Sequence, residues 1–351
     1  MTSITKPPVR HPGLRKNTLG FTVRDYEGAM STLCAGCGHD SVTAALVQAC
    51  WELALPPHRA AKMSGIGCSS KTTAYFMRQS HGFNSVHGRM PSVTSGANAA
   101  NRDLIYIGIS GDGDSLSIGL GQLSHAIRRN VRMLYLIDNN GVYGLTKGQF
   151  SASADVGSTS KKGEANLQPP IDPVLLALTL GATFVARSFS GDKGQLVPIL
   201  KAGLAHNGLA LVDIISPCVT FNDHEGSTKS YAYVKEHDDP VEEVSFVPFF
   251  EDISVDYEPG AVQEVTMHDG SKLFLKKLEE GYDPTDKIGA LKRLHESARR
   301  GEFATGLVYI EPDRDDFLTQ LDLVDEPLAT LPLERVRPGR EALEEIMEGL
   351  R

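Results

Sequence analysis

The sequence predicts an α/β fold in which a mostly parallel sheet is covered by helices on both faces. Between residues 35 and 217, short apolar runs alternate with stretches of helical periodicity, which is the pattern of repeated strand–helix–strand units. Two of these apolar runs end in glycine-containing polar clusters, as strands do at a ligand-binding edge. The 351 residues are 41% hydrophobic and 23% charged, a composition typical of globular proteins.

The individual elements follow from the spacing of apolar residues. The first helix is predicted over 39–53, because Val42, Leu46 and Ala49 recur on one side of it. A short extended segment over 61–66 leads into Gly67. Buried strands are predicted over 103–110, 131–137, 182–186 and 209–215, and further helices over 115–129, 173–180 and 194–205.

The alternation becomes looser beyond about residue 227. Segments 262–267 and 272–274 have the pattern of a hairpin around Asp269-Gly270, and helices are predicted over 287–300 and 340–350. We therefore divide the chain into a main domain over 1–226 and a C-terminal extension over 227–351, which we expect to pack on a partner subunit.

Charge is divided unevenly along the chain. The formal net charge is -9, made up of about -15 from Glu225 onward and about +6 before it. The chain has no basic stripe, which argues against nucleic-acid binding, and no apolar run of the roughly 18 residues that span a bilayer. The basic N-terminus lacks the apolar core of a secretory signal, so we expect a cytoplasmic protein.

Two polar clusters follow consecutive predicted strands, namely GDGDS over 111–115 and DNNGVYG over 138–144. Asp112 and Asn140 offer oxygen atoms that suit Mg²⁺, and Gly113 allows a ligand to approach closely. The helix that opens at Ser115 presents backbone N–H groups to a phosphate. Two ordinary loops are the alternative, but the 25 residues between GDG and NN favour a diphosphate–Mg²⁺ site.

The five cysteines form an odd set, which disfavours a disulfide framework. Cys34 and Cys37 make a CxxC pair, and Cys68 and Cys218 each follow a predicted strand, so four thiolates can converge at one edge of the sheet. Spacing alone does not choose between an iron–sulfur cluster and a zinc ion. Cys50 lies within the first helix and is expected to be a small core residue.

Taken together, these motifs resemble the β subunit of the 2-oxoacid:ferredoxin oxidoreductases. In chain order they are CAGCGH, GIGCSSK, HGR, SGDGDS, DNNGVYGLTKGQ and SPCVTFND, and the resemblance spans roughly residues 33–223. The variants GLTKGQ and SPCVTFND look most like the 2-oxoglutarate (2-oxoglutarate synthase) type. The resemblance implies a thiamine diphosphate-binding fold, with GDG and NN as the cofactor signature.

The resemblance also implies roles for individual residues. Asp112, Asn140 and the carbonyl of Val142 would bind Mg²⁺, and Cys34, Cys37, Cys68 and Cys218 would hold one 4Fe-4S cluster rather than zinc. The residues implied to contact thiamine diphosphate are Ile66, Gly67, Cys68, Ser69, His87, Gly113, Asp114, Gly144 and Leu145. Lys71 and Lys147 match positions associated with 2-oxoacid carboxylates, and we expect Lys71 to recognise the distal carboxylate of 2-oxoglutarate.

The implied reaction is oxidative decarboxylation of 2-oxoglutarate with coenzyme A to succinyl-CoA, CO₂ and reduced ferredoxin, or the reverse reductive carboxylation. No catalytic residue is assigned with certainty in this chain. The glutamate beside the cofactor's aminopyrimidine is expected from an α subunit, so activity is expected only in an αβ unit, as a dimer of heterodimers. The alternatives are pyruvate or another 2-oxoacid as substrate, a non-oxidative thiamine-dependent decarboxylase subunit, and a zinc-stabilised interaction module.

Overall fold

The computed structural model describes residues 12–158, 163–221, 255–266, 272–279, 281–337 and 339–350. The helices are α1 (Gly38–Glu52), α2 (Met90–Ala100), α3 (Leu120–Arg129), α4 (Pro173–Leu180), α5 (Lys193–Ala205), α6 (Lys287–Arg299), α7 (Phe317–Gln320), α8 (Leu333–Val336) and α9 (Arg340–Gly349). The strands are β1 (Ala60–Ser64), β2 (His81–Asn84), β3 (Ile105–Gly111), β4 (Met133–Asn139), β5 (Val142–Tyr143), β6 (Gln149–Phe150), β7 (Phe184–Phe189), β8 (Leu209–Ile215), β9 (Val262–Thr266), β10 (Lys272–Lys277) and β11 (Glu302–Ile310).

Nine of these strands form one sheet in the order β2-β1-β3-β4-β8-β7-β11-β10-β9. The first six are parallel to one another, and β11 joins them antiparallel to β7. Strands β5 and β6 pair separately as a short antiparallel ladder. Since parallel strands need crossover connections, the sheet brings the carboxyl ends of β1, β3, β4, β7 and β8 to one edge.

Side chains of the central strands alternate between two apolar layers. In β4, Met133, Tyr135 and Ile137 belong to one buried cluster, whereas Leu134 and Leu136 belong to another on the opposite face. Helices α3, α4 and α6 cover the first face, and α1 and α5 cover the second. Burial on both faces explains why these strands read as continuous apolar runs in the sequence.

The predicted α/β class is confirmed, and helix 173–180 and strand 209–215 have the predicted bounds. Helix α4 is sharply defined because the Asp172 side chain accepts hydrogen bonds at its start and Gly181 closes it with a positive φ of 84°. The predicted helix over 115–129 is instead a π-helical turn over Asp114–Ile118 followed by α3. Such turns are often found at functional sites.

Three elements of the sheet region were not predicted: β2, α2 and β11. Strand β11 matters most for the architecture, because it belongs to the C-terminal extension and pairs with β7 of the main sheet. The described part of the extension therefore continues that sheet. Strands β9 and β10 pair antiparallel as predicted, while their turn at Asp269-Gly270 lies outside the described residues. The boundary at 226/227 also lies outside them, so the division into two regions stays a prediction. In the described part of the chain, no helix has the length and apolar character needed to cross a membrane.

Candidate active site

A cleft opens at the carboxyl edge of the sheet, where β1, β3 and β4 end. Its walls come from segments far apart in sequence, which the parallel topology brings together. Among its lining residues are all nine predicted to contact thiamine diphosphate: Ile66, Gly67, Cys68, Ser69, His87, Gly113, Asp114, Gly144 and Leu145. The three predicted magnesium donors, Asp112, Asn140 and Val142, line the same cleft.

The predicted magnesium donors lie on two neighbouring strand ends. Asp112 follows β3 and is 1% exposed, and Asn140 follows β4, the adjacent strand. Burial raises the pKa of Asp112, while hydrogen bonds from Ser151 and Ser153 oppose that shift. One carboxylate, one amide oxygen and one backbone carbonyl form an oxygen donor set, which fits the preference of Mg²⁺.

Gly113 allows a close approach between the GDG turn and the second cluster. A β-carbon at this position would lie 2.4 Å from Cζ of Tyr143, so a larger residue cannot be placed without moving the ring. The Tyr143 hydroxyl donates a hydrogen bond of 2.8 Å to the Gly113 carbonyl. This contact fixes the two motif loops against each other across the cleft.

Asp114 ties three walls of the cleft together. Its Oδ1 atom lies 2.9 Å from His87 Nδ1 and accepts a hydrogen bond of 2.8 Å from the Gly88 N–H, while Oδ2 accepts one from the Ser110 hydroxyl at 2.7 Å. A β-carbon on Gly65 would lie 1.8 Å from Oδ2, so the end of β1 also packs on this carboxylate. The geometry therefore makes Asp114 the residue that positions His87, and its predicted contact with the cofactor stays a prediction.

A buried carboxyl group without hydrogen-bond partners borders the cleft at the end of β4. Neither oxygen of Asp138 has a hydrogen-bond partner among the described residues, and the nearest basic group is His39 Nδ1 at 3.7 Å. Burial, followed by the neighbouring charge of Asp112, raises the pKa of Asp138 to about 8. Burial also lowers the pKa of His39 to about 4, and its Nδ1 lies 2.6 Å from Ser216 Oγ. Burial thus favours the uncharged form of both groups.

The four cysteines assigned to the cluster lie around one region beside the cleft. Cys37 precedes α1, Cys68 follows β1, and Cys218 follows β8. A β-carbon on Gly144 would lie 3.4 Å from the sulfur of Cys68 and 3.7 Å from that of Cys218, so Gly144 leaves room between them. The Thr220 hydroxyl lies 3.3 Å from the sulfur of Cys34.

The electrostatics show how closely these thiols are grouped. Burial raises the pKa of Cys37, and the nearby Cys218 raises it further. Burial likewise raises the pKa of Cys218, against the backbone N–H groups of Thr220 and Phe221, and Cys68 and Cys34 add to the rise. Four mutually interacting thiols with N–H donors to sulfur fit an iron–sulfur cluster, whose potential such hydrogen bonds tune.

No group of three or more His, Cys, Asp or Glu side chains within the described ranges is arranged to hold one ion directly. The choice of an iron–sulfur cluster over zinc stays what the family resemblance implies. The expected core residue Cys50 is fully buried in the apolar layer under α1 and α5.

The two predicted substrate lysines lie outside the lining of the cleft. Lys71 is partly buried, and its charge lowers the pKa of Cys68 against the larger effect of burial, which places the ammonium group near that thiol. Lys147 is exposed at the tip of the β5–β6 loop with a φ of +76°. That left-handed backbone is uncommon for a residue other than glycine and is one feature of functional loops.

Sequence reasoning missed several residues that build the site. In the sequence, Tyr143 stands only within the second motif and Asp138 only at the end of a predicted strand. The structure adds Ser151 and Ser153, whose hydroxyls both contact Asp112. The sequence carried no signal for these two serines, because they lie 39 and 41 positions from Asp112 and only the folded loop brings them back.

The family model "Thiamine pyrophosphate enzyme, C-terminal TPP binding domain" matches residues 65–214. The "2-oxoglutarate oxidoreductase subunit KorB" of Mycobacterium tuberculosis is 42% identical over 191 residues, which are 54% of this chain and 51% of that protein. The chain thus spans about half the length of that relative. The "2-oxoacid:ferredoxin oxidoreductase 1, subunit beta" of Aeropyrum pernix is 34% identical over 313 residues, 87% of each protein.

A solved structure is similar over nearly the whole chain. It is the 2-oxoglutarate:ferredoxin oxidoreductase from Magnetococcus marinus with 2-oxoglutarate, coenzyme A and succinyl-CoA bound. The TM-score is 0.70 at 28% sequence identity, and the match covers 93% of this chain and 95% of that one.

Proposed function

Because the chain belongs to the family of 2-oxoacid:ferredoxin oxidoreductase β subunits, we propose that it is the subunit that binds thiamine diphosphate, Mg²⁺ and one 4Fe-4S cluster in such an enzyme. The proposed reaction is oxidative decarboxylation of 2-oxoglutarate with coenzyme A to succinyl-CoA, CO₂ and reduced ferredoxin, or its reverse. The observation that carries the proposal is the single cleft that joins the GDG and NN motifs to Cys68.

In this proposal, the residues of this chain bind and orient the metal ion, the cofactor diphosphate and the cluster. Asp112, Asn140 and the Val142 carbonyl hold the metal, and the N–H groups of the helical turn after Gly113 face the diphosphate. Thiamine diphosphate supplies the electron sink that makes loss of CO₂ from a 2-oxoacid feasible. The thiols of Cys34, Cys37, Cys68 and Cys218 would hold the cluster, which would supply a one-electron acceptor beside the cleft.

The walls of the cleft also control solvent and charge. Asp138 and His39 are buried beside the cleft, and burial favours the uncharged form of each. Ile66 and Leu145 line the cleft with apolar surface. A less polar wall strengthens electrostatic interactions inside the site and limits side reactions with water.

We propose 2-oxoglutarate as the substrate because the Mycobacterium relative and the Magnetococcus structure are both named for it. Lys71 would bind its distal carboxylate through a charge-assisted hydrogen bond, and Lys147 would approach from the exposed loop. Pyruvate or another 2-oxoacid remains the alternative substrate. A non-oxidative decarboxylase would not need the four thiols that the fold brings together.

The test is anaerobic co-purification with the α subunit, followed by iron analysis and assays of 2-oxoglutarate, pyruvate and indolepyruvate with coenzyme A and ferredoxin. We expect iron, coenzyme A-dependent ferredoxin reduction and a preference for 2-oxoglutarate. Lys71→Ala should reduce that preference, whereas Lys292→Ala, a change of an exposed lysine on α6, should not. Turnover without iron, or full turnover by the β chain alone, contradicts the proposal.

We also propose that the extension contacts the α subunit and that ferredoxin docks on the cluster side. Helix α9 and its C-cap Leu350 carry a stripe of exposed apolar residues, with Leu343, Ile346 and Met347 in the helix and glutamates beside them. An acidic ferredoxin would be repelled by the negatively charged C-terminal extension and attracted to the positively charged main domain, which carries the four cysteines. Charge reversals on the main domain near the four cysteines should therefore change the ferredoxin KM at low salt more than charge reversals in α9.

A further inference from the structure

We propose that Ser151 and Ser153 are positioning residues for the metal-binding carboxylate of Asp112. They hold one carboxylate oxygen so that the other faces the cation. The inference rests on the proposed thiamine diphosphate–Mg²⁺ function and assigns a role to two hydroxyl groups outside the cofactor motifs.

Three donors from the protein converge on a single oxygen, Oδ2 of Asp112. The Gly141 N–H donates to it at 2.9 Å, and the hydroxyls of Ser151 and Ser153 lie 2.5 Å from it. Hydroxyl–carboxylate hydrogen bonds are charge-assisted. Asp112 is 1% exposed and Ser151 6% exposed, so little water competes for these bonds. The Gly113 N–H also bonds to the carboxylate. Because three donors fill Oδ2, Oδ1 is the oxygen with acceptor capacity left for a cation.

The two serines also contact residues other than Asp112, namely Gly141 and Asn139. Ser151 donates its backbone N–H to the Gly141 carbonyl at 3.3 Å, which fastens the returning loop to the second motif. Ser153 Oγ lies 2.9 Å from Asn139 Oδ1 as well as against Asp112. A hydroxyl has one proton, and the charged carboxylate is its stronger acceptor. The Ser153 proton therefore goes to Asp112, and the close approach to Asn139 Oδ1 does not count as a second hydrogen bond from this hydroxyl.

Asn139 is held in turn by a group of charged residues, Asp213, Arg187 and Asp172. Asn139 Nδ2 donates to Asp213 Oδ1 at 3.0 Å, and Arg187 Nε donates to Asp213 Oδ2 at 2.8 Å. Arg187 also pairs with Asp172, the residue that caps α4, at 2.6 Å. Asn139, which lies against Ser153, is thus held by hydrogen bonds and ion pairs that cross β4, β8 and β7. Partners of this kind around a metal ligand typically change metal affinity 10- to 100-fold when they are removed.

A purely structural role for the serines makes a different prediction. Serines that only hold the loop would change the stability of the protein and leave its affinity for Mg²⁺ intact. Serines that orient the carboxylate would change the Mg²⁺ concentration needed to bind the cofactor, while binding at saturating Mg²⁺ is retained.

The test uses the full chain co-purified with its partner subunit and stripped of divalent metal. Equilibrium dialysis measures the Mg²⁺ concentration that gives half-maximal binding of thiamine diphosphate. We expect Ser151→Ala and Ser153→Ala each to raise it about 10-fold and the double variant up to about 100-fold. The amount bound at saturating Mg²⁺ should stay unchanged, and Ser153→Thr, which keeps the hydroxyl, should restore the wild-type value.

The matched control is Ser158→Ala in the same loop, because the Ser158 hydroxyl donates to the Asp155 carbonyl rather than to Asp112. It should leave the half-saturating concentration of Mg²⁺ unchanged. Unchanged values in Ser151→Ala and Ser153→Ala, beside Mg²⁺-dependent binding by the wild type, overturn the inference and spare the proposed function. Absence of Mg²⁺-dependent binding in the wild type overturns both. If Ser153→Ala fails to fold, Ser151→Ala gives the same readout.

Discussion

The central sheet has an amino edge, formed by the amino ends of its parallel strands, and a carboxyl edge, formed by their carboxyl ends. Buried polar groups differ in their hydrogen bonding between these two edges. At the amino edge, Asn130 Oδ1 accepts hydrogen bonds from the Thr183 hydroxyl at 2.7 Å and the Leu209 N–H at 2.9 Å, and its Nδ2 donates to the Asp315 carbonyl at 3.0 Å. His206 completes the group, with Nε2 at 2.7 Å from the Thr183 hydroxyl.

The carboxyl edge leaves polar atoms without such partners. Seven described residues carry a buried side-chain atom with no hydrogen-bond partner, and six of them end or follow β1, β4 or β7. These six are Ser64, Ser69, Ser70, Thr72, Asp138 and Asp192. Unmade hydrogen bonds are costly in a buried site, so their concentration at one edge fits the cofactor site proposed there. The Asn130 group at the amino edge, by contrast, meets its hydrogen-bond partners within the protein.

The largest expected effect tests the cluster side of the carboxyl edge. Cys218→Ser should lower iron from about four atoms per chain to below about one, because the cluster loses one of its four thiolates. Ferredoxin reduction should fall with it, while cofactor binding persists. Iron analysis and equilibrium dialysis measure the two separately.

Cys50→Ala is the control for that change, since Cys50 is a core residue of α1. It should keep the iron and cost only stability. Retention of the full iron content by Cys218→Ser would show that this thiol is not a ligand.

The next effect concerns the diphosphate side of the same edge. Gly113→Ala should weaken thiamine diphosphate binding on the order of 100-fold, because the added carbon collides with the Tyr143 ring and shifts the GDG turn. Gly121→Ala is the matched control: Gly121 lies in α3 with open space around it, so the change should be neutral or stabilise by about 1 kcal/mol. Equal cofactor affinity in both variants would break the distinction between the edges.

The amino edge should respond in stability alone. Asn130→Ala should lower the free energy of unfolding by about 3 kcal/mol, because it leaves the Leu209 N–H and the Asp315 carbonyl without a buried partner and forces alanine to a φ of 53°. Asn130→Gly separates the two causes, since glycine accepts that φ but makes no side-chain bond. Denaturant titration gives the stability, and dialysis should show unchanged cofactor affinity once the variant is folded.

The smallest effect is a pH dependence at the same edge. Burial lowers the pKa of His206 from 6.5 to about 4, so the folded state favours the neutral imidazole. Its contribution to stability is present above pH 6.5 and is lost as the pH falls towards 4, because the unfolded chain takes up the proton first.

The expected loss is about 1 to 2 kcal/mol, and His206→Phe should remove this part of the acid sensitivity. Urea titrations of both proteins at pH 4, 5, 6 and 7 check it. Parallel acid profiles for the two proteins would assign the sensitivity to other groups.

Much of the fold could be predicted because its signals are local. Helix α4 begins and ends at residues with strong capping preferences, Asp172 and Gly181. Strands β4 and β8 are buried on both faces and so read as apolar runs. Strand β2 was missed because all four of its residues are exposed at the sheet edge, and β11 because partly buried positions interrupt its apolar pattern.

By itself the sequence determined which residue types stand at the strand ends. Two features of the sequence place the chain in its family. One is the glycine–aspartate–glycine motif at 111–113 with the asparagine at 140, and the other is the spacing of Cys34, Cys37, Cys68 and Cys218. Only the tertiary structure decided which oxygen of Asp112 is held, that Ser151 and Ser153 hold it, and that Asp138 is buried beside it. The physical reason is that hydrogen bonds and burial depend on distances between segments that lie tens of residues apart, and these distances exist only once the sheet has formed.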